Sequence, residues 1–172
     1  DMEGSRGLGD VYKRQIVDQS ICNGSSLSIS APVDADNYLW TPNIGINNNT
    51  LQNTTFSPST STEYIFTGSN TFGCFVRDTF SVFVNEIPNF DAGPDQFICL
   101  GDSTILNASG NANSYFWSNN YTDSTYYLVN DTTSFILTGT SLAGCSDSDT
   151  VVIFGVSLIH ISEPTRPFHI WY

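Results

Sequence analysis

Four cysteines are the residues of this chain whose chemistry depends most on their spacing. Cys22 and Cys74 lie in the first half of the sequence, and Cys99 and Cys145 lie at matching places in the second half. Zinc sites use closely spaced Cys or His ligands, and these cysteines are far apart. Paired cysteines without such spacing are typical of disulfides in an oxidising compartment. We therefore predict two structural disulfides, Cys22–Cys74 and Cys99–Cys145.

Carboxylates form the second group that could do chemistry. The pairs closest in sequence are Asp34 with Asp36, Asp91 with Asp95, and Asp147 with Asp149. A pair of carboxylates is the arrangement that hydrolyses glycosides. Catalysis by a Ser or Cys nucleophile would need an adjacent base as well. Residues 16–155 contain no His and no Lys. We predict no catalytic residues, no cofactor and no enzymatic activity.

Two binding roles stay open for these polar and aromatic residues. Asp78, Asp147 and Asp149 could supply oxygen ligands to calcium, although their spacing is not that of an EF-hand. Tyr121, Tyr126 and Tyr127 could stack on sugars or could pack across strands instead. Calcium is therefore the one ion that the sequence leaves possible.

Both ends of the chain look foreign to the protein. Back-translated, residues 5–15 (SRGLGDVYKRQ) resemble a sequencing adapter, and residues 157–166 (SLIHISEPTR) resemble the same adapter on the opposite strand. We expect residues 1–15 and 156–172 to be adapter-derived and not native. The protein would then be an internal fragment of a longer chain.

The central segment is strongly acidic. Four of the 17 Asp and Glu residues lie in the end segments, which leaves 17 − 4 = 13 against a single basic residue, Arg77. Binding to nucleic acid depends on Lys and Arg neutralising phosphates, so nucleic acid is an unsuitable partner. No run of about 18 apolar residues is present, and we expect no membrane insertion.

An internal repeat organises this segment. The motif DQSICNG at 18–24 recurs as DQFICLG at 95–101, and YLW at 38–40 recurs as YFW at 115–117, both at an offset of 77. The offset is 71 for IFTG at 65–68 and ILTG at 136–139. The six-residue difference falls between residues 41 and 55, as a loop of variable length on a fixed scaffold would produce.

Each repeat reads as short strands separated by turns. Tyr38 and Trp40 are two residues apart and share one face of a strand, as do Tyr115 and Trp117, so we assign all four to the core. Repeats of about 70 residues with roughly seven strands suit a two-sheet sandwich in which the Trp packs toward a disulfide. We predict an all-β chain with two antiparallel β-sandwich domains, 16–87 and 88–155.

The same motifs resemble the Ig-like and PKD-like repeats of very large secreted Bacteroidota proteins, which are associated with gliding motility and type IX secretion. The shared pattern is DAGPDQ, then I-C-x-G-[DE]-S, Y-x-W, G-C and D-T-[VF], and both copies match it over almost the whole central segment. The second copy is closer, since DAGPDQ at 91–96 and GDS at 101–103 are complete. The resemblance implies adhesion, spacing and display at the cell surface.

The leading hypothesis is a non-catalytic structural and adhesive repeat of a secreted or cell-surface protein. Its expected partners are neighbouring repeats of the same chain and surface glycans or proteins. The alternative is a carbohydrate-binding accessory module of a secreted glycoside hydrolase, which a coplanar row of exposed aromatic residues would favour. A eukaryotic receptor ectodomain fits less well, because Trp40 and Trp117 follow the preceding Cys by 18 residues.

Overall fold

The computed structural model of the protein describes residues 15–157, so the end segments predicted to be adapter-derived fall almost wholly outside the described residues. The chain divides into two compact units between Glu86 and Ile87. Within 15–157 the regular structure is strand, apart from one 3-10 turn at Ser118–Asn120. The predicted all-β class is confirmed.

Unit 1 contains six strands. They are β1 (Gln19–Cys22), β2 (Leu27–Ser30), β3 (Asn37–Thr41), β4 (Asn53–Phe56), β5 (Thr62–Ser69) and β6 (Phe75–Asn85). One sheet has the order β1-β6-β5-β3, and β2 pairs with β4 in a second, two-stranded sheet. All pairs are antiparallel except β1 with β6, which run parallel.

Unit 2 repeats this plan with one addition. Its strands are β7 (Phe90–Asp91), β8 (Gln96–Cys99), β9 (Ser103–Leu106), β10 (Ser109–Gly110), β11 (Ser114–Trp117), β12 (Thr125–Leu128), β13 (Thr133–Thr140) and β14 (Ser146–Val156). The main sheet has the order β11-β13-β14-β8, with β14 and β8 parallel, and β9 pairs with β12. The additional pair is β7 with β10.

The core of unit 1 lies between its two sheets and is mostly aromatic. Trp40, Phe66 and Phe80 project from the four-stranded sheet, and Phe56 projects from β4. The Trp40 ring centroid lies 4.7 Å from that of Phe66 and 5.4 Å from that of Phe56. Rings at these distances attract one another in addition to excluding water.

Unit 2 fills the equivalent space with smaller side chains. Trp117 is fully buried, but Leu137 and Val151 stand where unit 1 has Phe66 and Phe80. The predicted core positions Trp40 and Trp117 are thus buried, while Tyr38 and Tyr115 are half-buried at the edge of each core. The tryptophans pack against hydrophobic side chains and not against a disulfide within their own unit.

Most of the six-residue length difference between the repeats lies in the connection from the tryptophan strand to the next strand, which is 11 − 7 = 4 residues longer in unit 1. In unit 1 residues 42–52 join β3 to β4, and the backbone carbonyl of Leu51 in this loop accepts a hydrogen bond from Trp40 Nε1 at 2.8 Å. In unit 2 residues 118–124 make the connection, and Asp123 Oδ1 takes the place of that carbonyl at 3.4 Å from Trp117 Nε1. The length of the loop therefore differs between the units, while the N–H of the buried indole has a hydrogen-bond acceptor in both.

Candidate functional site

The two cysteines of unit 1 lie at opposite ends of its longest strand. Cys22 pairs with Asn85, the last residue of β6, and Cys74 directly precedes Phe75, the first residue of β6. The separation of 85 − 74 = 11 residues corresponds to roughly 36 Å at about 3.3 Å per residue. A disulfide needs Cα atoms about 4.4–6.8 Å apart. Cys22 and Cys74 therefore cannot bond within one unit.

Unit 2 has the same arrangement. Cys99 pairs with Val156 at the end of β14, and Cys145 directly precedes Ser146 at its start, again 156 − 145 = 11 residues away. In the structure Cys22 and Cys145 are disulfide-bonded, whereas Cys74 and Cys99 are free. The presence of a disulfide is confirmed, but the predicted pairings Cys22–Cys74 and Cys99–Cys145 are wrong.

The four cysteines fall into two classes that we name by position. The sheet-end cysteines, Cys22 and Cys99, close the parallel strand at the edge of the main sheet. The hairpin cysteines, Cys74 and Cys145, lie in the turns that join β5 to β6 and β13 to β14. One cysteine of each class is disulfide-bonded, and one of each class is a free thiol.

Both hairpin cysteines are held by the same kind of turn. Asn70 N–H donates to the Cys74 carbonyl at 3.0 Å, and the Asn70 side-chain oxygen accepts from Cys74 N–H at 3.0 Å. Ser141 does the same in unit 2, where its N–H donates to the Cys145 carbonyl at 2.8 Å and its hydroxyl accepts from Cys145 N–H at 3.2 Å. Each hairpin therefore fixes the backbone of its cysteine on both sides.

The sheet-end cysteines are also set in matching turns. The Cys22 carbonyl accepts from Ser25 N–H at 2.9 Å, and the Cys99 carbonyl accepts from Asp102 N–H at 3.0 Å. The residue after each cysteine extends the parallel pairing, since Asn23 N–H donates to Asn85 and Leu100 N–H donates to Val156. Each class of cysteine therefore lies in the same kind of hydrogen-bonded turn in both units.

The carboxylates singled out as calcium ligands are engaged by the backbone. Asp78 is buried, and its two oxygens accept from Ile16 N–H at 2.7 Å and from Thr79 N–H at 3.0 Å. Asp149, its counterpart in unit 2, accepts from Ala92 N–H and Thr150 N–H, both at 2.8 Å. Each of these residues joins the segment that enters its unit to the last strand.

A second carboxylate in each unit reinforces the same connection. Asp18 accepts from Ser81 N–H and Asp95 accepts from Val152 N–H, both at 2.7 Å. Sequence reasoning assigned no role to Asp18 and treated Asp95 only as half of a carboxylate pair. The sequence signal for a shared role was that Asp18 and Asp95 both begin the DQ-x-I-C motif, at an offset of 77.

The calcium hypothesis gains no further ligands from the fold. Asp147 shares one face of β14 with Asp149, and its carboxylate accepts from Ser148 N–H at 2.8 Å. Among residues 15–157 no three His, Cys, Asp or Glu side chains are grouped as a metal site would require. Calcium binding by Asp78, Asp147 and Asp149 stays a prediction, and a titration followed by melting temperature would test it.

The three tyrosines considered for sugar stacking are split by the fold. Tyr121 and Tyr127 pack edge-on against Phe135, with ring centroids 5.5 Å and 4.7 Å from it, and both are half-buried against the core. Only Tyr126 is exposed, with 71% of its surface accessible. These three residues therefore do not form an exposed aromatic row.

One buried tyrosine in unit 1 has a shifted pKa. Tyr64 lies fully within the core, and its hydroxyl donates to the Ile44 carbonyl at 2.5 Å. Burial raises the pKa of Tyr64 above its usual value near 10, because the phenolate would be desolvated, and a side-chain hydrogen bond with Thr62 opposes this in part. Phe135 occupies the equivalent position in unit 2.

We expect this tyrosine to make unit 1 sensitive to alkali. The folded state holds the proton more tightly than the unfolded state, so the contribution of Tyr64 is complete below about pH 10 and is lost as pH rises through the folded-state pKa. Urea unfolding of the full chain between about pH 8 and pH 11 measures the effect. Tyr64→Phe should lose less stability over that range than the original chain does. Equal losses in the two proteins would contradict the assignment.

A shallow groove lies beside the free hairpin cysteine. It has a volume of about 240 Å³ and is lined by Val33, Ala35, Gly68, Cys74, Phe75 and neighbouring residues. Two phenylalanines of the same turn face solvent, with 90% of Phe72 and 70% of Phe75 exposed. Aromatic surface therefore lies next to a thiol at the hairpin end of unit 1.

Comparisons with solved structures find Ig-like and fibronectin(III)-like domains at low identity. No protein-family model and no curated protein matches the chain. Among solved structures, the insect immune protein hemolin shares 15% identity with a TM-score of 0.43, over 84% of this chain and 46% of the hemolin chain. The two-domain fragment of DIP-gamma shares 12% identity with a TM-score of 0.37, over 83% of this chain and 95% of that one.

Fibronectin(III)-like modules of CbhA from Clostridium thermocellum are also similar in structure. They share 8% identity with a TM-score of 0.37, over 83% of this chain and 91% of theirs. The sheet order and the parallel edge strand of each unit are those of an Ig-like β-sandwich, as predicted.

A search for membrane-spanning helices among residues 15–157 finds none that is long and apolar enough to cross a bilayer.

Proposed function

We propose that the chain is a non-catalytic structural and adhesive module of a larger secreted or cell-surface protein. The repeats of Bacteroidota surface proteins that its motifs resemble serve this role, and neighbouring repeats and surface glycans or proteins would be the partners. One observation carries the proposal. In each main sheet, the strand that comes first in the sequence pairs in parallel with the strand that comes last, β1 with β6 and β8 with β14.

This pairing suits a unit that transmits force along a chain. In parallel strands, tension pulls the first strand toward its start and the last strand toward its end, so all hydrogen bonds between them are loaded together in shear. The carboxylates add to the same joint, since Asp18 and Asp78 in unit 1 bond the entering segment to β6. Asp95 and Asp149 do so in unit 2.

The types of side chain present support a role without catalysis. In residues 15–157 the only basic side chain is Arg77, and the carboxylates described above accept hydrogen bonds from backbone N–H groups that they help to hold in place. A disulfide supports export to an oxidising compartment. The end segments 1–15 and 156–172 are proposed to be adapter-derived, so they would contribute nothing to this role apart from Val156, the last residue of β14.

Force spectroscopy on unit 2 of the full chain tests the proposal. Handles attached through unnatural side chains at Pro94 and Val156 load β8 against β14 in shear. Handles at Leu100 and Val156, whose backbones are joined by a 3.0 Å hydrogen bond, load the same two strands from one end, so that their bonds break one after another. We expect the rupture force in shear to be several times that of the second geometry.

The second geometry is the matched control, because the two experiments differ only in whether the first handle replaces Pro94 or Leu100. Equal rupture forces in the two geometries would contradict a force-bearing role for the parallel strands. A fold that unravels elsewhere before β8 separates from β14 would contradict it as well.

A further inference from the structure

We propose that the turn between β1 and β2 is a site of spontaneous covalent modification, at which Asn23 is converted to aspartate and isoaspartate. Asn23 precedes Gly24, and this is the one Asn-Gly pair in the sequence. Because glycine has no side chain to shield its backbone nitrogen, that nitrogen can reach the side-chain amide carbon of a preceding asparagine. The modified residue would lie directly after β1.

The turn that carries Asn23 is open to water. The Cys22 carbonyl accepts a hydrogen bond from Ser25 N–H at 2.9 Å, which makes Asn23 and Gly24 the two central residues of the turn. Both are exposed, and Gly24 has a φ of +80°, in the region that favours glycine. Among residues 15–157, no heavy atom beyond the adjacent residues lies within 4 Å of the position that a Gly24 Cβ would take. Water therefore has access to the Asn23 amide.

The corresponding turn of unit 2 is braced by two hydrogen bonds to another segment of that unit. Gly101 N–H donates to the Val129 carbonyl at 2.8 Å, and Val129 N–H donates to the Asp102 carbonyl at 2.9 Å. A backbone nitrogen that attacks the preceding side chain must lose its proton and turn toward that side chain. In unit 2 this movement would break the bond from Gly101 to Val129.

Unit 1 has a proline in place of this valine. At the repeat offset of 71, Val129 corresponds to Pro58, and both residues are buried. Proline has no N–H, so it cannot donate the second of the two bonds. Within residues 15–157, the Gly24 N–H donates no hydrogen bond. The Gly24 nitrogen can therefore turn toward Asn23 without losing a bond.

The reaction consumes water and needs no oxidant. The deprotonated Gly24 nitrogen forms a bond to the side-chain amide carbon of Asn23, and the C–N bond of that amide breaks. The leaving nitrogen takes up a proton through solvent and departs as ammonia, which leaves a cyclic succinimide. Water then opens either carbonyl of the ring, giving aspartate or isoaspartate with one new carboxylate. In isoaspartate the main chain runs through the former side chain and is one carbon longer.

The modification falls where the parallel pairing of unit 1 ends. Asn23 N–H donates to the Asn85 carbonyl at 2.8 Å, one residue beyond the last paired position of β1. Isoaspartate keeps this N–H but lengthens the chain that leads to Ser25 N–H, so the turn onto the Cys22 carbonyl loses its fit. Unit 2 has Leu100 at the matching position and would not change in this way.

The matched test is Leu100→Asn, which places an Asn-Gly pair in the braced turn of unit 2. The folded full chain with this substitution is incubated in mildly alkaline buffer made with water labelled with heavy oxygen, and both sites are then mapped by mass spectrometry. We expect Asn23 to lose its amide and take up one labelled oxygen, while the introduced asparagine stays mostly intact. In urea, where both turns are unfolded, the two asparagines should react at similar rates.

A second variant, Pro58→Val, supplies the missing N–H in unit 1 and should slow the loss of the Asn23 amide. Equal loss at the two Asn-Gly sites of the folded chain would overturn the proposal, as would an unchanged rate in Pro58→Val. A folded chain in which Asn23 stays intact, although it reacts in urea, would overturn it as well. None of these results bears on the rupture forces measured for unit 2, so failure of this inference is distinguishable from failure of the proposed function.

Discussion

Replacing Trp40 by alanine is expected to lower the free energy of unfolding of unit 1 by about 3–5 kcal/mol, the range for removing a large aromatic side chain from a core. The Trp40 side chain is fully buried and touches the rings of Phe56, Phe66 and Phe80, with centroids 4.7–6.0 Å away. The substitution opens a cavity that these rings can fill only in part. It also leaves the Leu51 carbonyl without its 2.8 Å hydrogen bond from the indole.

Urea unfolding of the full chain, followed by circular dichroism, measures this loss. Trp117→Ala is the matched variant in unit 2, and we expect a cost at the lower end of the same range. Its indole hydrogen bond is longer, at 3.4 Å, and its neighbours Leu137 and Val151 can shift more easily than packed rings. Tyr126→Ala is the surface control, with an expected change within about 0.5 kcal/mol.

A cost below about 1 kcal/mol for Trp40→Ala, the size of an ordinary single-site effect, would contradict the assignment of this residue to the core. Loss of glycan binding without loss of stability would favour the carbohydrate-binding alternative instead.

Periodicity and internal repetition were sufficient to predict the architecture. Spacing of two residues between Tyr38 and Trp40 placed both on one face of a strand, and the structure buries the Trp and half-buries the Tyr. The jump in repeat offset from 77 to 71 located the variable loop, which the structure places between β3 and β4. Both signals can be read from the sequence alone, one from how side chains alternate along a strand and the other from aligning the two repeats.

Cysteine pairing failed because it depends on non-local information. Recurrence of Cys22 as Cys99 and of Cys74 as Cys145 shows that the positions are equivalent, but it does not show at which end of the sandwich each one lies. That placement follows from the parallel register of β1 on β6, which sets Cys22 opposite Asn85 and not next to Cys74. A parallel edge strand leaves no mark in hydrophobic alternation that distinguishes it from an antiparallel one.

Tertiary packing also decided the roles of the polar and aromatic candidates. Tyr126 and Tyr127 are adjacent in sequence, and alternation alone puts them on opposite faces of β12; the structure shows that Tyr127 is the one packed inward, against Phe135. Asp78 and Asp149 looked like surface ligands for a cation. The structure adds hydrogen bonds to them from the backbone N–H groups of Ile16 and Ala92, which come from segments distant in sequence.

The state of the four cysteines in the full chain tests the central claim most directly, namely that each unit carries its two cysteines at opposite ends. The chain is purified without reductant, unfolded, labelled with one alkylating reagent, then reduced and labelled with a second, and each cysteine is identified by mass spectrometry. We expect the first label on Cys74 and Cys99 and the second on Cys22 and Cys145. In Cys22→Ser, Cys74 and Cys99 should still carry the first label. Protection of all four cysteines, with Cys22 linked to Cys74 and Cys99 linked to Cys145, would contradict the account.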